Sequence, residues 1–296
     1  MSRPIAKLLA GFVIAAALVA VAAVIGTLSQ PTPAPTSLPN PNGYDDFVKA
    51  GTLVIDNGSN YLTLGIEELR TLVKTNAEAL ELARVGFGHQ TRVPLDYSAT
   101  NIARLSELPA IKRLARAFTA EGRLAELENR TGDAVQSYLG AIRLGYAISQ
   151  GGLIIDSLVS LALQAIGTGP LEKLVPGLDA QQCRELASVL EAAESRQASV
   201  ETILEQEHAW CRRTYGLRGQ FVRLVTYKSL KQSEQRWESK FKSQQVRARM
   251  LLIQLAARAY EQEKGERPKG IADLVPAYLK TIPQDPLTGT NMVYRP

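Results

Sequence analysis

The chain has 296 residues, of which 45% are hydrophobic and 21% are charged, a balance that excludes an intrinsically disordered protein. Its 34 lysines and arginines outnumber its 29 acidic residues and give a net charge of +5 at pH 7. The length allows one or two domains, and the part beyond the N-terminal region is long enough to bury a sizeable core.

Residues 8–28 form the first predicted element and contain no charged residue. Roughly 20 apolar residues are needed for a helix to span a bilayer. We therefore predict a transmembrane anchor at residues 1–28 that contacts the lipid bilayer through residues 8–28. A cleaved signal peptide, with Ala20-Val21-Ala22 as its cleavage site, and a buried core helix are the two other interpretations.

Arg3 and Lys7 precede this segment, and the next charged residue is Asp45. The positive-inside rule then puts the N-terminus in the cytoplasm, the span in the inner (cytoplasmic) membrane, and the body in the periplasm or another extracytoplasmic space. Residues 29–43 hold five prolines and predict an extended, semi-rigid linker of roughly 40 Å at most.

Residues 44–178 read as an N-terminal helical region. A helical turn begins at Asp45, and Asn57-Gly58 suggests a small hairpin. Apolar residues then recur at helical spacing over 66–83. Further helices are predicted from Pro109, from Ala134 after Asp133 as the N-cap, and over the strongly apolar residues 153–166, with glycines and prolines as punctuation. No alternation of strands and helices is present, so we predict an all-α body.

The two helices over 109–149 resemble one tetratricopeptide unit, in which small residues let antiparallel helices approach and aromatic residues fill the gap. The matching positions are Phe118, Gly122, Ala134, Tyr138 and Ala141, whereas Glu121, Ala125 and Tyr146 depart from the pattern. Solenoids need about three units to bury a continuous core. An ordinary helical hairpin and a repeat-like scaffold therefore both remain open.

Residues 179–296 read as a long helical hairpin with a short irregular C-terminal cap. Asp179 caps the first helix and Gly265 ends the last. Cys183 and Cys211 lie 28 residues apart in the first helix, roughly 42 Å if it is continuous, too far for a disulfide. We therefore expect free or buried thiols.

The first of these helices is rich in glutamate, and residues 212–249 are strongly basic. The two charged surfaces either pair with each other or leave a basic face for anionic lipid headgroups or an acidic partner. Nucleic acid is not expected outside the cytoplasm. The candidate basic interaction face comprises Arg223, Lys228, Lys231, Arg236, Lys240 and Arg247.

The last 50 or so residues resemble the tail of the major pseudopilins of type II secretion. The matching motifs are Ala256 to Tyr260, Arg267-Pro268, Ile271 to Leu274, Tyr278-Leu279, Pro283-Gln284-Asp285-Pro286, Gly289 and Tyr294. Ala16 stands where that family has a glutamate five residues after the Gly11-Phe12 cleavage point. From the residues alone, we expect a cap over the last helix made by Leu274, Tyr278, Leu279, Ile282, Leu287 and Tyr294.

Catalytic and metal-binding patterns are weak. His89 with Asp96 nearby suggests a base without a nucleophile motif, and Glu205-x-x-His208 is half of a di-iron signature that needs a second copy. We predict no catalytic, cofactor or metal site and identify no small-molecule substrate. The expected function is a membrane-anchored, non-enzymatic scaffold or interaction protein with an unknown protein partner in envelope or secretion processes. The alternative is a pseudopilin-like subunit of a secretion filament.

Overall fold

The described chain is all-α, as the sequence predicts. The computed structural model describes residues 36–294 apart from 57, 59 and 98–101, together with seven positions between 14 and 26, and it omits the side chains of 102–104, 217, 218 and 220–224. Between residues 43 and 264 this described part forms nine α-helices and no strand. They are α1 Gly43–Leu53, α2 Ile66–Thr75, α3 Ala77–Gly86, α4 Ile102–Leu127, α5 Thr131–Ala147, α6 Ile154–Leu174, α7 Ala180–Glu194, α8 Val200–Val225 and α9 Tyr227–Lys264.

Two asparagines organise the first helices. The Asn42 side chain accepts the backbone N–H of Tyr44 at 3.3 Å and of Arg92 at 3.0 Å, which caps α1 and ties its start to the loop after α3. Helix α1 is therefore three turns long and not the single turn expected. Asn76 binds both backbone groups of Ile55, and α2 ends beside it. The predicted helix over 66–83 is consequently two helices.

The predicted hairpin at Asn57-Gly58 does not form strands in its described residues. Gly58 does adopt a left-handed turn with φ of 75°, and its N–H donates to Asp56 at 2.9 Å. Residues 54–56 and 60–65 on either side are turns or irregular. Only one short apolar run flanks the turn, too little for two paired strands to cover a hydrophobic face.

The next helices continue through prolines and glycines that were expected to mark their ends. Pro109 lies inside α4, because Leu108 and Ile111 beside it are buried and their packing outweighs one lost backbone hydrogen bond. Asp133 is in the first turn of α5 and pairs with Arg130 at the N-cap position. Helix α6 continues through the predicted break at Gly167-Thr168-Gly169-Pro170 as far as Leu174.

The glycines of these helices serve close packing. A Cβ on Gly122 would lie 2.6 Å from the ring of Tyr138, and one on Gly140 would lie 2.8 Å from the ring of Phe118. A Cβ on Gly167 would lie 2.5 Å from the backbone oxygen of Tyr138. Helices α4, α5 and α6 therefore cross with their backbones unusually close, and each aromatic ring fills the space over a facing glycine.

The long acidic helix of the prediction is two helices. Helix α7 starts at its predicted cap, where the Asp179 carboxylate accepts the Gln182 N–H at 2.8 Å. It ends at Glu194, and residues 195–199 turn the chain into α8. The two cysteines are thus on different helices, and they are not joined in a disulfide. The estimated separation along one continuous helix was therefore wrong.

Helices α7 and α9 run antiparallel, as their complementary charge suggests. Arg184 near the start of α7 pairs with Glu263 near the end of α9. Glu194 at the end of α7 lies 2.6 Å from Arg249 earlier in α9. These half-exposed and part-buried pairs set the register of the two helices more than they stabilise them.

Two large clusters form the hydrophobic core. The first joins the ends of α4 and α6 with α5, α7, α9 and the C-terminal segment, so its residues come from both sides of the boundary at 178/179. The second joins α1, α3, α4, α5 and α6. Their buried members include Tyr138, Leu171, Cys183, Leu255, Ala259 and Leu274 in the first, and Phe47, Leu80, Ile111, Leu114, Phe118 and Leu163 in the second.

The C-terminal segment packs over α9 as predicted through four of the six expected residues, whereas the half-buried Ile282 and the exposed Leu287 are not part of the core cluster. Helix α9 ends at Gly265 with φ of 73°. Leu274 and Leu279 are then buried in the first core cluster. Leu287 was expected in this cap but is 54% exposed, because it lies in a turn whose N–H groups bind Asp285. Tyr278, Met292 and Tyr294 also pack on the cluster.

The hairpin of α8 and α9 extends beyond the bundle. Residues 227–233 at the start of α9 are all exposed, and burial on this helix begins at Trp237. Helix α8 has a kink at Gly216, where φ is 53° and ψ is −137°. The two arms touch few other helices along this stretch, so the end of the hairpin stands in solvent.

The predicted anchor at residues 8–28 lies mostly outside the described residues. The described positions in it, 14, 15, 18, 19, 21, 22 and 26, are helical and exposed. Among the described residues, one helix is long and apolar enough to cross a membrane by length and composition. It is internal, Ile154–Gly177, and half of its most apolar window is buried in the bundle.

Candidate functional site

A cleft lies between the two arms of the α8–α9 hairpin and extends from the start of α6 to Thr226 at the turn of the hairpin. It has a volume of about 540 Å³. Its surface is largely apolar, with a few polar groups on each arm. The lining residues are Ile154, Leu158, Glu207, His208, Cys211, Tyr215, Gly219, Thr226, Leu230, Ser233, Glu234 and Trp237. We call it the hairpin cleft.

The α6 wall of the cleft is held by α8. The N–H of Leu153 donates to Asp156 at 2.7 Å, and the N–H of Ile154 donates to Glu207 of α8 at 2.9 Å. The first N–H groups of a helix lack partners within it and carry partial positive charge. Here the carboxylates of Asp156 and Glu207 accept these N–H groups, and Glu207 fixes α8 against the start of α6.

Trp237 forms the floor of the cleft. Its ring is 3% exposed, and its indole N–H donates to Ser157 at 3.1 Å. The ring of Phe241 lies 5.6 Å away, centroid to centroid. Together with Leu161 and Ile203 they form a small third hydrophobic cluster. The floor is therefore rigid, whereas the upper walls, Tyr215 and Leu230, are 44% and 39% exposed.

One polar pair crosses the cleft between the two arms. His208 Nε2 lies 3.2 Å from Glu234 Oε1, and both side chains are about a quarter exposed. Glu205, the other residue of the half di-iron signature, is exposed. In the part of the chain that the structure describes, no group of three or more His, Cys, Asp and Glu residues is suited to hold a metal ion.

The second histidine lies elsewhere. His89 Nδ1 is 2.7 Å from Asp46 Oδ2 of α1, and both side chains remain partly exposed. Asp96, its expected neighbour, instead presents its backbone oxygen to the indole N–H of Trp210 at 2.7 Å. The His89 pair therefore fastens the loop after α3 to α1.

The two cysteines differ in environment. Cys183 is fully buried in the first core cluster, and that burial raises the pKa of its thiol to about 11. This supports the expectation of a buried thiol. Cys211 is on the wall of the hairpin cleft and is partly exposed.

The predicted basic face divides into two groups on α9. Lys228 and Lys231 are exposed near its start, whereas Arg236, Lys240 and Arg247 share another face by their spacing of four and seven residues. Arg247 is committed to Glu172, with bonds of 2.9 and 2.7 Å that raise its pKa. The side chain of Arg223 lies outside the described residues.

Lys240 and Arg247 also line a second, more open groove of about 540 Å³ against α6. Leu158 and Leu161 form part of its other wall. Its polar residues are exposed serines and long side chains, and the Arg247–Glu172 pair closes one end.

Comparison of the chain with protein-family models, with curated proteins and with solved structures finds no match. Any function must therefore be argued from the residues and their geometry.

Helical spacing within α9 predicts an apolar stripe but not the cleft. Leu230 and Trp237 are seven residues apart and so share one face of α9, and the structure puts both in the cleft lining. Their pairing with Tyr215 and Ile154 depends on where α8 crosses α6. In the sequence, Glu207 is the residue that determines this crossing, because its carboxylate accepts the N–H of Ile154 in the first turn of α6.

Proposed function

We propose that the protein is a single-pass membrane protein whose extracytoplasmic helical body is a scaffold that holds an apolar segment of a partner protein in the hairpin cleft. The observation that carries this proposal is the cleft itself: an apolar surface with a rigid floor and exposed walls, at the end of the bundle. Apolar grooves between helices are a common way to bind an amphipathic helix of a partner.

Two features of the cleft favour binding over catalysis. Glu207 caps α6, and His208 faces Glu234, so the titratable side chains of the lining have structural partners. The apolar contacts are supplied by Leu230, Trp237 and their neighbours, residue types that bury well against a partner helix. The C-terminal resemblance to pseudopilins supports a setting in the cell envelope or in secretion.

The anchor is supported by the side chains described within it. Ile14, Leu18, Val19 and Val21 are helical and each more than half exposed. Apolar side chains on all sides of a helix suit a lipid environment and are costly in water. Protease added to intact spheroplasts tests the topology. We expect digestion of the body, and protection of the body would contradict the proposed orientation.

Site-specific photo-cross-linking in native membranes tests the cleft. A photoreactive phenylalanine analogue replaces Leu230 in the cleft or, as the matched control, Met250, which is on the same helix and 50% exposed. We expect a defined adduct with another protein from position 230 and none from position 250. The adduct should disappear in a Leu158→Arg variant, because Leu158 forms the opposite wall.

Equal adducts from both positions would refute the proposal, as would an adduct that survives the change at Leu158. The filament alternative predicts removal of the N-terminal segment between Gly11 and Phe12, which the mass of the mature N-terminal peptide reveals. An intact N-terminus would exclude that alternative.

A further inference from the structure

The end of the α8–α9 hairpin carries apolar and basic side chains next to each other. We call Val225, Tyr227, Lys228 and Lys231 the hairpin tip. Val225 is 70% and Tyr227 58% exposed, and both lysines are exposed. The Lys231 ammonium lies 5.8 Å from the centre of the Tyr227 ring, so charge and ring face the same solvent. Tyrosine beside lysine suits the boundary between lipid headgroups and acyl chains.

The sequence around the hairpin tip has a single sign of charge. Residues 212–233 contain six arginines and lysines and no acidic residue. The next acidic residue, Glu234, faces His208 inside the cleft. By helical spacing, Lys228 lies on the side of α9 opposite the lining residues Leu230 and Trp237, and Lys231 lies between the two sides. The tip adjoins the end of the cleft at Thr226 and Leu230, and its lysines suit an anionic partner.

The proline-rich linker joins the body next to the base of this hairpin. Thr36 and Leu38 line a surface groove together with residues 92–97. The same loop contacts α8: Asp96 accepts the Trp210 indole N–H at 2.7 Å, and the Arg213 guanidinium lies 5.0 Å from the centre of the Tyr97 ring. The polypeptide that leads to the proposed anchor therefore leaves the body beside the first half of α8.

The linker and the second part of α8 cover similar lengths from this junction. The extended linker that the sequence predicts covers about 25 Å between residues 28 and 36, at about 3.1 Å per residue. From Trp210 to Thr226, α8 covers at most about 24 Å, at 1.5 Å per residue. A linker that runs alongside α8 would thus end level with the hairpin tip.

We propose that the hairpin tip rests on the anionic headgroup surface of the bilayer in which the protein is anchored. The inference rests on the proposed membrane anchor. The aromatic and aliphatic side chains enter the interface, and the lysines bind phosphate groups. With the anchor and the tip both held, the body has a fixed orientation over the membrane, and the mouth of the cleft lies close to the lipid surface.

Quenching by lipids tests the contact on the full-length chain. A fluorescent amino acid replaces Tyr227 or, as control, Val293, which is 74% exposed in the C-terminal cap. The protein is reconstituted into vesicles of phosphatidylcholine, with or without phosphatidylglycerol, that carry headgroup-proximal spin labels. We expect quenching at position 227 only, and more of it with phosphatidylglycerol. Equal quenching at both positions, or none at 227, would overturn the proposal.

Charge reversal at the two lysines of the hairpin tip is the second test of the contact. Each basic residue near an anionic surface strengthens binding roughly fivefold, so Lys228→Glu with Lys231→Glu should lower the ratio of bound to free tip roughly 30-fold or more. Lys74→Glu with Lys112→Glu, exposed lysines of α2 and α4, should change nothing. Unchanged quenching in the tip variant would rule out an electrostatic contact.

Vesicle flotation separates this inference from the proposal on which it rests. A working anchor makes every variant float with neutral phosphatidylcholine vesicles, whatever the tip does. A protein that does not float refutes the anchor, whereas one that floats without quenching at position 227 refutes only the tip contact.

Discussion

Individual glycines decide how closely the central helices approach. Gly122, Gly140 and Gly167 each face an atom that a methyl group would overlap. The pairing of Gly122 with Tyr138 is recognisable in the sequence as a small and an aromatic position in consecutive helices. The role of Gly167 is not, because its neighbour is a backbone oxygen that no sequence pattern marks.

We expect Gly167→Ala to destabilise the protein by about 1–3 kcal/mol, because its Cβ would lie 2.5 Å from the backbone oxygen of Tyr138 and α5 and α6 must separate. Gly132→Ala is the matched control. Gly132 is also helical, but nothing lies within 4 Å of its Cβ position. That variant should be neutral or more stable by up to about 1 kcal/mol. Urea denaturation followed by circular dichroism measures both, and equal effects would contradict the packing argument.

At the scale of elements, local signals succeed where backbone groups need partners. Asp179 and Gly265 are the expected ends of α7 and α9, because a carboxylate N-cap and a left-handed glycine satisfy exposed backbone groups locally. Pro109 and Gly167 lie inside helices although each predicts a helix end, since burial of the residues around them outweighs this local preference. Short-range chemistry therefore predicts helix ends such as these two, and long-range packing decides the others.

The C-terminal cap is held to α9 by a carboxylate. Glu263 accepts a hydrogen bond from Tyr278 at 2.9 Å and pairs with Arg184, which is stacked on the Tyr278 ring at 4.8 Å. The bonds from Arg184 and Tyr278 lower the pKa of Glu263 below its ordinary value of 4.5. Its stabilisation of the cap is thus present above that value and is lost as pH falls through the lower pKa.

We therefore expect Glu263→Gln to lower the melting temperature at about pH 6, and the difference from the parent to shrink as the pH falls through the lowered pKa of Glu263 and its carboxylate becomes protonated. Glu266→Gln, an exposed position just beyond α9, is the control and should have no such pH-dependent effect. Thermal melts across this range provide the measurement. A difference that stays constant with pH would show that the bonded charge of Glu263 does not stabilise the cap.

At the scale of the whole molecule, the bundle and the hairpin are unequally supported. The second half of α9 is buried in the first core cluster, and residues 227–236 of the same helix are outside the bundle. Composition and periodicity predict the helical class and the apolar stripe of α9. They do not predict which part of the stripe stays uncovered, because that depends on the break at 195–199 that redirects α8.

Hydrogen exchange on the intact protein should report this difference within one helix. Amides of residues 227–236 should exchange much faster than those of 248–260, because local opening there exposes few buried contacts. The comparison is internal, so sample conditions are the same for both segments. Uniform protection along α9 would mean that the hairpin is supported by contacts not present in the described chain.

Helix α9 has 38 residues and is about 57 Å long. It packs in the third cluster at Trp237 and Phe241, its N-terminal turns lie outside the bundle, and its longer C-terminal part packs against Leu274 of the cap. Because the helix is unbroken, a force on its exposed N-terminal turns is transmitted to the opposite end of the molecule.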